Sequence, residues 1–211
     1  MSMLSWYSSS VFEPISWQAD VRARLEARHL VAWSSAAETR TRFAASLGRY
    51  LSTQPATQVC PLYGRAMRGI DDVCDQLERL IPVERLARTI DGPHGVASLL
   101  RSREGANTLR SRILLWHDAD VVLRRDRSLF GALCEVLSGV SAELEMSEGG
   151  SLLEQRCVYV GSAALAEEAR RADSVMTTWS PEGGSIPFWA LVSGMDRPPM
   201  VLCSIDRLIH D

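Results

Sequence analysis

Apolar residues along this chain fall into two alternating patterns: short uninterrupted runs, and longer stretches in which they recur every three or four positions. The runs are HLVAW (29–33), TQVCPLYG (57–64), RILLWH (112–117), RCVYVG (156–161) and PMVLCSI (199–205). A short apolar run bounded by polar residues predicts a strand covered on both faces. Between the runs, residues 39–51 place Phe43, Leu47 and Leu51 on one helical face, and residues 70–81 do the same with Ile70, Val73, Leu77 and Leu80 before Pro82 intervenes. Residues 126–139 carry Leu129, Leu133 and Val136 or Leu137 on one side, with Gly139 as a C-cap, and residues 163–172 predict a further short helix. A short helix over 21–28 precedes the first run. A helical insert spans 83–90 and, after the DGPHG turn, 96–103. Residues 147–151, SEGGS, are a loop, and 186–194 are apolar enough for strand or helix. Strands separated by helices predict an α/β fold: a three-layer parallel sheet of about five strands, with helices on both faces. Residues 1–20 lack a clear period. They predict an arm packed on the single domain of residues 21–211, because Trp6, Tyr7, Phe12 and Trp17 are costly to expose together.

Composition narrows the chemistry. The 211 residues, 46% hydrophobic, suit one compact domain, and 23 basic against 26 acidic residues leave a net charge of −3. This balance does not favour a nucleic acid or an acidic membrane surface as partner, except through a local patch. All the basic residues are arginine and none is lysine, which removes Schiff-base chemistry, covalent pyridoxal phosphate and the phosphate-gripping lysine of P-loop enzymes. Five cysteines at 60, 74, 134, 157 and 203 form no CxxC pair and read as buried reduced thiols. The absence of a signal-peptide pattern and of any membrane-length apolar stretch makes a cytoplasmic location the expectation.

The first strand, loop and helix overlie the P-loop frame GxxxxGK[ST], in which glycines admit phosphate to backbone N–H groups, the lysine neutralises it and the hydroxyl holds magnesium. Here residues 34–41 read SSAAETRT: Ser34 and Thr39 stand at the glycine positions, Arg40 at the lysine and Thr41 at the hydroxyl. A β-branched Thr39 tolerates positive φ badly, and Glu38 adds a negative charge. Taken alone, these residues describe an ordinary strand-to-helix turn with Ser/Thr/Glu capping. The third strand, RILLWHDADVVLRRD, resembles the Walker B segment of the AAA+ ATPases. In that alignment His117 stands at the magnesium-binding acid, Asp118 at the catalytic acid and Ala119-Asp120 at the continuation, while Ser162 after the fourth strand falls near the sensor position. The chain thus resembles a degenerate P-loop NTPase-like domain of the AAA+ type. The resemblance implies a strand order 5-1-4-3-2 and, with the sequence ending at Asp211, no lid domain. A rival likeness, to the barstar-like ribonuclease inhibitors, rests on LYGRAMRGIDDVCDQL and RILLWHDADVVL and leaves residues 1–56 and 163–211 unexplained.

With the lysine, two glycines and one acid replaced, the resemblance implies a catalytically inactive binding or scaffold module that needs no cofactor. The alternatives are a divergent NTPase using ATP and magnesium through Ser34, Thr39, Arg40, Thr41 and Asp118, or a DNA-associated accessory protein. A second glycine frame, Gly64 to Gly69, continues Ile70-Asp71 where Lys-Ser/Thr is required and reads as a turn and cap. Strand alternation would let Asp118 and Asp120 face one way and His117 the other. Arg101, Arg103, Arg110 and Arg112 around GANTL, and Arg124, Arg125 and Arg127 after the third strand, are either a solvated face or a local anion patch. Trp33, His117, Arg124, Arg125 and Arg127 are the expected interaction residues. They would meet a protein partner or a second copy of the chain, with nucleic acid second and no membrane.

Overall fold

The structure, a computed structural model, describes residues 16–27, 29–81, 92–101, 109–144, 154–178 and 200–210. Each apolar run is a strand: β1 His29–Trp33, β2 Thr57–Tyr63, β3 Ser111–His117, β4 Glu154–Gly161 and β5 Met200–Ser204. All pair in parallel, in the order β2-β3-β4-β1-β5. Read from the other edge, this is the implied order 5-1-4-3-2. The helices are α1 Ser16–Ala27, α2 Ala37–Ser52, α3 Ile70–Glu78, α4 Gly92–Arg101, α5 Ala119–Arg125, α6 Arg127–Leu144, α7 Ala163–Thr178 and α8 Ile205–His210. β1 and β5 join the same sheet as β2 and β3, so the barstar-like rival leaves two of its strands without a place.

The sheet separates two apolar layers because successive strand side chains point to opposite faces. On one side Leu30 and Ala32 of β1 and Ile113 and Leu115 of β3 pack with Trp17, Val21 and Leu25 of α1 and Phe43, Leu47 and Leu51 of α2. On the other, Val31, Leu114, Trp116 and Tyr159 pack against α3, α4, α5, α6 and α7. All five cysteines are free and buried, and desolvation holds the Cys157 thiol up at about 12.

Several boundaries differ from the sequence expectation, each for a local reason. The last residues of the expected arm form the start of α1, where Trp17 stacks on Phe43 at 5.2 Å. α3 stops at Glu78, and the N–H groups of Leu80 and Ile81 turn back to the Leu77 carbonyl. The expected DGPHG turn instead contributes Gly92–Gly95 to the first turn of α4, where Pro93 lacks only an N–H that the helix would leave unpaired. The helix expected over 126–139 is α6, which runs on past the expected Gly139 cap to Leu144, and a short helix not expected from the sequence, α5, precedes it. Asp118 adopts a left-handed conformation (φ 50°, ψ 40°), α5 begins directly after it, and the Asp126 carboxylate then accepts the Leu129 N–H at 2.9 Å to start α6. The expected helix over 83–90, the loop at 147–151, the segment 186–194 and the aromatics Trp6, Tyr7 and Phe12 lie outside the described residues.

β2 is an edge strand whose free edge is blunted. The Tyr63 N–H faces outward and donates to Gln76 Oε1 at 2.7 Å, and Pro61, two residues earlier with the same orientation, has no N–H to expose. Register then sets the site: Tyr63 lies beside His117, and Trp33 beside both Gly161 and Ser204, along the C-terminal edge of the sheet.

Candidate functional site at the C-terminal edge of the sheet

The β1–α2 connection is short, because α2 already begins at Ala37 and the last five residues of the P-loop frame are helical. None of residues 34–41 has a positive φ, so the backbone makes no concave nest of N–H groups there. The expected Ser/Thr/Glu cap is also absent: the N-cap is Ala36, with no side-chain hydrogen bond. Ser34 is fully buried, and its hydroxyl donates to Asp206 Oδ1 of α8 at 2.8 Å while accepting the Ala36 N–H at 3.1 Å. Arg40 folds back on its own loop, Nη1 donating to the Ser34 carbonyl at 2.7 Å and the Ser35 carbonyl at 3.1 Å. The Thr41 hydroxyl donates to the Ala37 carbonyl one turn earlier at 3.1 Å.

At the end of β3, Asp118 and Asp120 diverge. The alternation argument fails here because the strand stops at His117, Asp118 turns left-handed and Asp120 lies on α5. Asp118 turns toward β2, where its Oδ2 accepts the Arg65 Nε–H at 2.7 Å. The two backbones approach so closely that a Cβ on Gly64 would lie 2.4 Å from the Asp118 carbonyl oxygen, and this requires glycine. Asp120, 1% exposed, turns toward β4, where its Oδ2 accepts the Ser162 hydroxyl at 2.6 Å and pairs with Arg124 at 3.0 Å. His117 stacks on Tyr63, ring centroids 4.9 Å apart at 25°. Burial holds its imidazole below the ordinary range, partly opposed by Asp118, so the ring is neutral at neutral pH. At the other end of this edge, the Arg170 guanidinium lies over the Trp33 ring, 5.4 Å from its centroid.

The arginine clusters separate by environment. Arg124 is engaged with Asp120, and Arg127 with Glu168, which also pairs with Arg171. Arg125 is exposed on α5. Arg112, the first residue of the expected third strand and also counted with the arginine cluster around GANTL, lies in β3 as expected but is only 1% exposed. Its Nε donates to Gln58 Oε1 at 2.9 Å, and its Nη1 donates to the Leu99 and Leu100 carbonyls at the end of α4. It is therefore a structural cation at a helix C-terminus, where the macrodipole favours it. Arg110 is exposed, and the side chains of Arg101 and Arg103 lie outside the described residues. His29 is buried, its Nδ1 accepting the Cys157 N–H at 3.0 Å. Among the described residues no group of His, Cys, Asp or Glu could hold a metal ion, and no helix is long and apolar enough to cross a membrane.

Sequence reasoning missed Tyr63, Asp206 and Arg170. Tyr63 had a usable signal, since it ends β2 as His117 ends β3 and parallel register brings strand ends together. Asp206 and Arg170 reach the site from α8 and α7, and no local spacing announces such contacts.

No protein-family model matches the chain, and no curated protein matches its sequence. Among solved structures, the Orc1 protein of Aeropyrum pernix in complex with DNA is similar to it, with a TM-score of 0.53 and 13% identity over 92% of this chain. This chain spans 46% of that one, about half its length. At this identity the likeness is one of fold, and it agrees with a P-loop NTPase-like parallel sheet covered by helices.

Proposed function

We propose that this chain is a nucleotide-independent binding module: it keeps a P-loop NTPase-like sheet and uses the C-terminal edge to meet a protein partner or a second copy of itself. One observation carries this reading. The side chains that a divergent nucleotide site would draw on are already engaged within the chain: Arg40 on the carbonyls of Ser34 and Ser35, Thr41 on the Ala37 carbonyl and Asp118 on Arg65. Phosphoryl transfer depends almost entirely on positioning and on electrostatic stabilisation of the transferred group. A β1–α2 connection that turns carbonyls toward its own arginine supplies neither, and His117 replaces the metal-binding acid of the implied motif. The residues present therefore do not fit a nucleoside triphosphate with magnesium.

The same edge carries the residue types that most often anchor protein interfaces, Trp, Tyr and Arg. Trp33, His117 and Arg125 stand along it together with Tyr63 and Arg65. A nucleic-acid reading draws support from the DNA complex of the structurally similar Orc1 protein, and the net charge of −3 weighs against it. The test is phosphate release by the purified protein with ATP or GTP and magnesium. No release above background is expected. Turnover that disappears in Asp118→Asn would overturn the proposal in favour of a working NTPase.

A further inference from the structure

Among the described residues, Tyr63 is the one large hydrophobic side chain that stands exposed, at 52%. It belongs to a two-ring platform, with the His117 imidazole stacked against it at 4.9 Å. The Arg65 guanidinium reaches Asp118, the neighbour of His117, and Arg68 and Arg125 act on Asp72 of α3, one turn before the Gln76 that accepts the Tyr63 N–H. Arg65 gives only its Nε to Asp118 and remains 70% exposed, so among the described residues its terminal amino groups have no partner. Arg68 and Arg125 are exposed and make no side-chain hydrogen bond among the described residues. Both act on Asp72, whose carboxyl is held below its usual range chiefly by the Arg68 and Gly69 N–H groups. Asp118 thus already accepts from Arg65 and Asp72 from the backbone, while among the described residues the three guanidinium groups retain donors without a hydrogen-bond partner.

We infer that this patch docks an acidic segment of a partner protein that carries an aromatic side chain. The ring continues the Tyr63–His117 stack, and the carboxylates enter the forks of Arg65, Arg68 and Arg125. This rests on the binding-module reading and names the partner's chemistry. Charge complementarity selects the occupant, since a planar guanidinium matches a carboxylate through two parallel hydrogen bonds. A short segment with a few carboxylates meets mainly the local field. A long polyanion also meets the net negative charge of the rest of the chain.

The experiment is fluorescence anisotropy of the full chain with a labelled peptide bearing three glutamates around one phenylalanine, with oligo-dT of similar length as comparison. Saturable peptide binding is expected. It should weaken at least tenfold in Tyr63→Ser, in Arg68→Glu and in Arg125→Glu, and stay unchanged in Arg171→Glu on α7. Arg68 and Arg125 lie on the surface, so their variants keep the test decisive even if Tyr63→Ser folds poorly. Absence of saturable binding, equal affinity in the Arg68 and Arg125 variants, or tighter binding of oligo-dT than of the peptide would each overturn the inference. Phosphate release reports on the binding-module reading separately, so the two failures are distinguishable.

Discussion

His29 begins β1 as a neutral imidazole, with Nδ1 accepting the Cys157 N–H, so its proton resides on Nε2. Burial first, and Arg156 second, lower its pKa from 6.5 to about 4. The unfolded chain therefore binds a proton at this residue between pH 6.5 and 4 while the folded chain does not, and stability falls as pH drops through that window. The full loss attributable to His29 is roughly 3 kcal/mol. Urea unfolding at pH 7 and pH 4.5 should show this decline, and His29→Gln should flatten it by retaining an acceptor without the titration. Arginine, the chain's only basic residue apart from histidine, also acts as a satisfier of carbonyls. Arg40 serves Ser34 and Ser35, Arg112 serves Leu99 and Leu100, and Arg156 donates to Leu25 at 3.1 Å and Gln155 at 2.9 Å. Guanidinium suits this use because its donors are several, planar and fixed in direction.

The strands were legible because both faces of a parallel sheet are covered, which makes their sequences apolar without interruption. α2 and α3 were legible for the opposite reason: each buries one stripe, and Phe43, Leu47 and Leu51, or Val73 and Leu77, recur at helical spacing. α5 escaped detection because its start depends on a left-handed Asp118, a conformation that neither propensity nor period encodes. Arg112 fell within the expected third strand, but its burial was not legible because a charged residue at a strand start reads as solvated. Its burial depends on α4 ending above it, which is tertiary information. This element-level dependence has a measurable consequence. Arg112→Ala removes the donors to the α4 carbonyls and to Gln58, leaving buried acceptors without them, and should destabilise the protein by about 3 kcal/mol. Equilibrium denaturation of the variant checks this, and a change below 1 kcal/mol would mean that α4 is held by its apolar face alone.

At the scale of the molecule, β-α alternation made a parallel sheet readable, whereas the strand order came only from the resemblance to the AAA+ ATPases, because right-handed crossovers alone are compatible with several orders. The site was readable only in part. The sequence brought forward His117, Asp118, Ser34, Arg40 and Thr41 as chemistry-bearing, but the partners that engage Ser34 and Asp118 come from elements distant along the chain: Asp206 on α8 and Arg65 beyond β2. Whether these residues form a nucleotide site or a closed edge therefore depended on contacts across the fold. The central claim is that the β1–α2 connection and the end of β3 are closed on themselves and take no nucleotide. Thermal unfolding of the purified protein against increasing ATP and magnesium tests it most directly. A ligand present at 100 times its dissociation constant would add about 2.7 kcal/mol of stability. The account predicts no shift in Tm up to millimolar nucleotide; a saturable rise in Tm that requires magnesium and is lost in Arg40→Ala would contradict it.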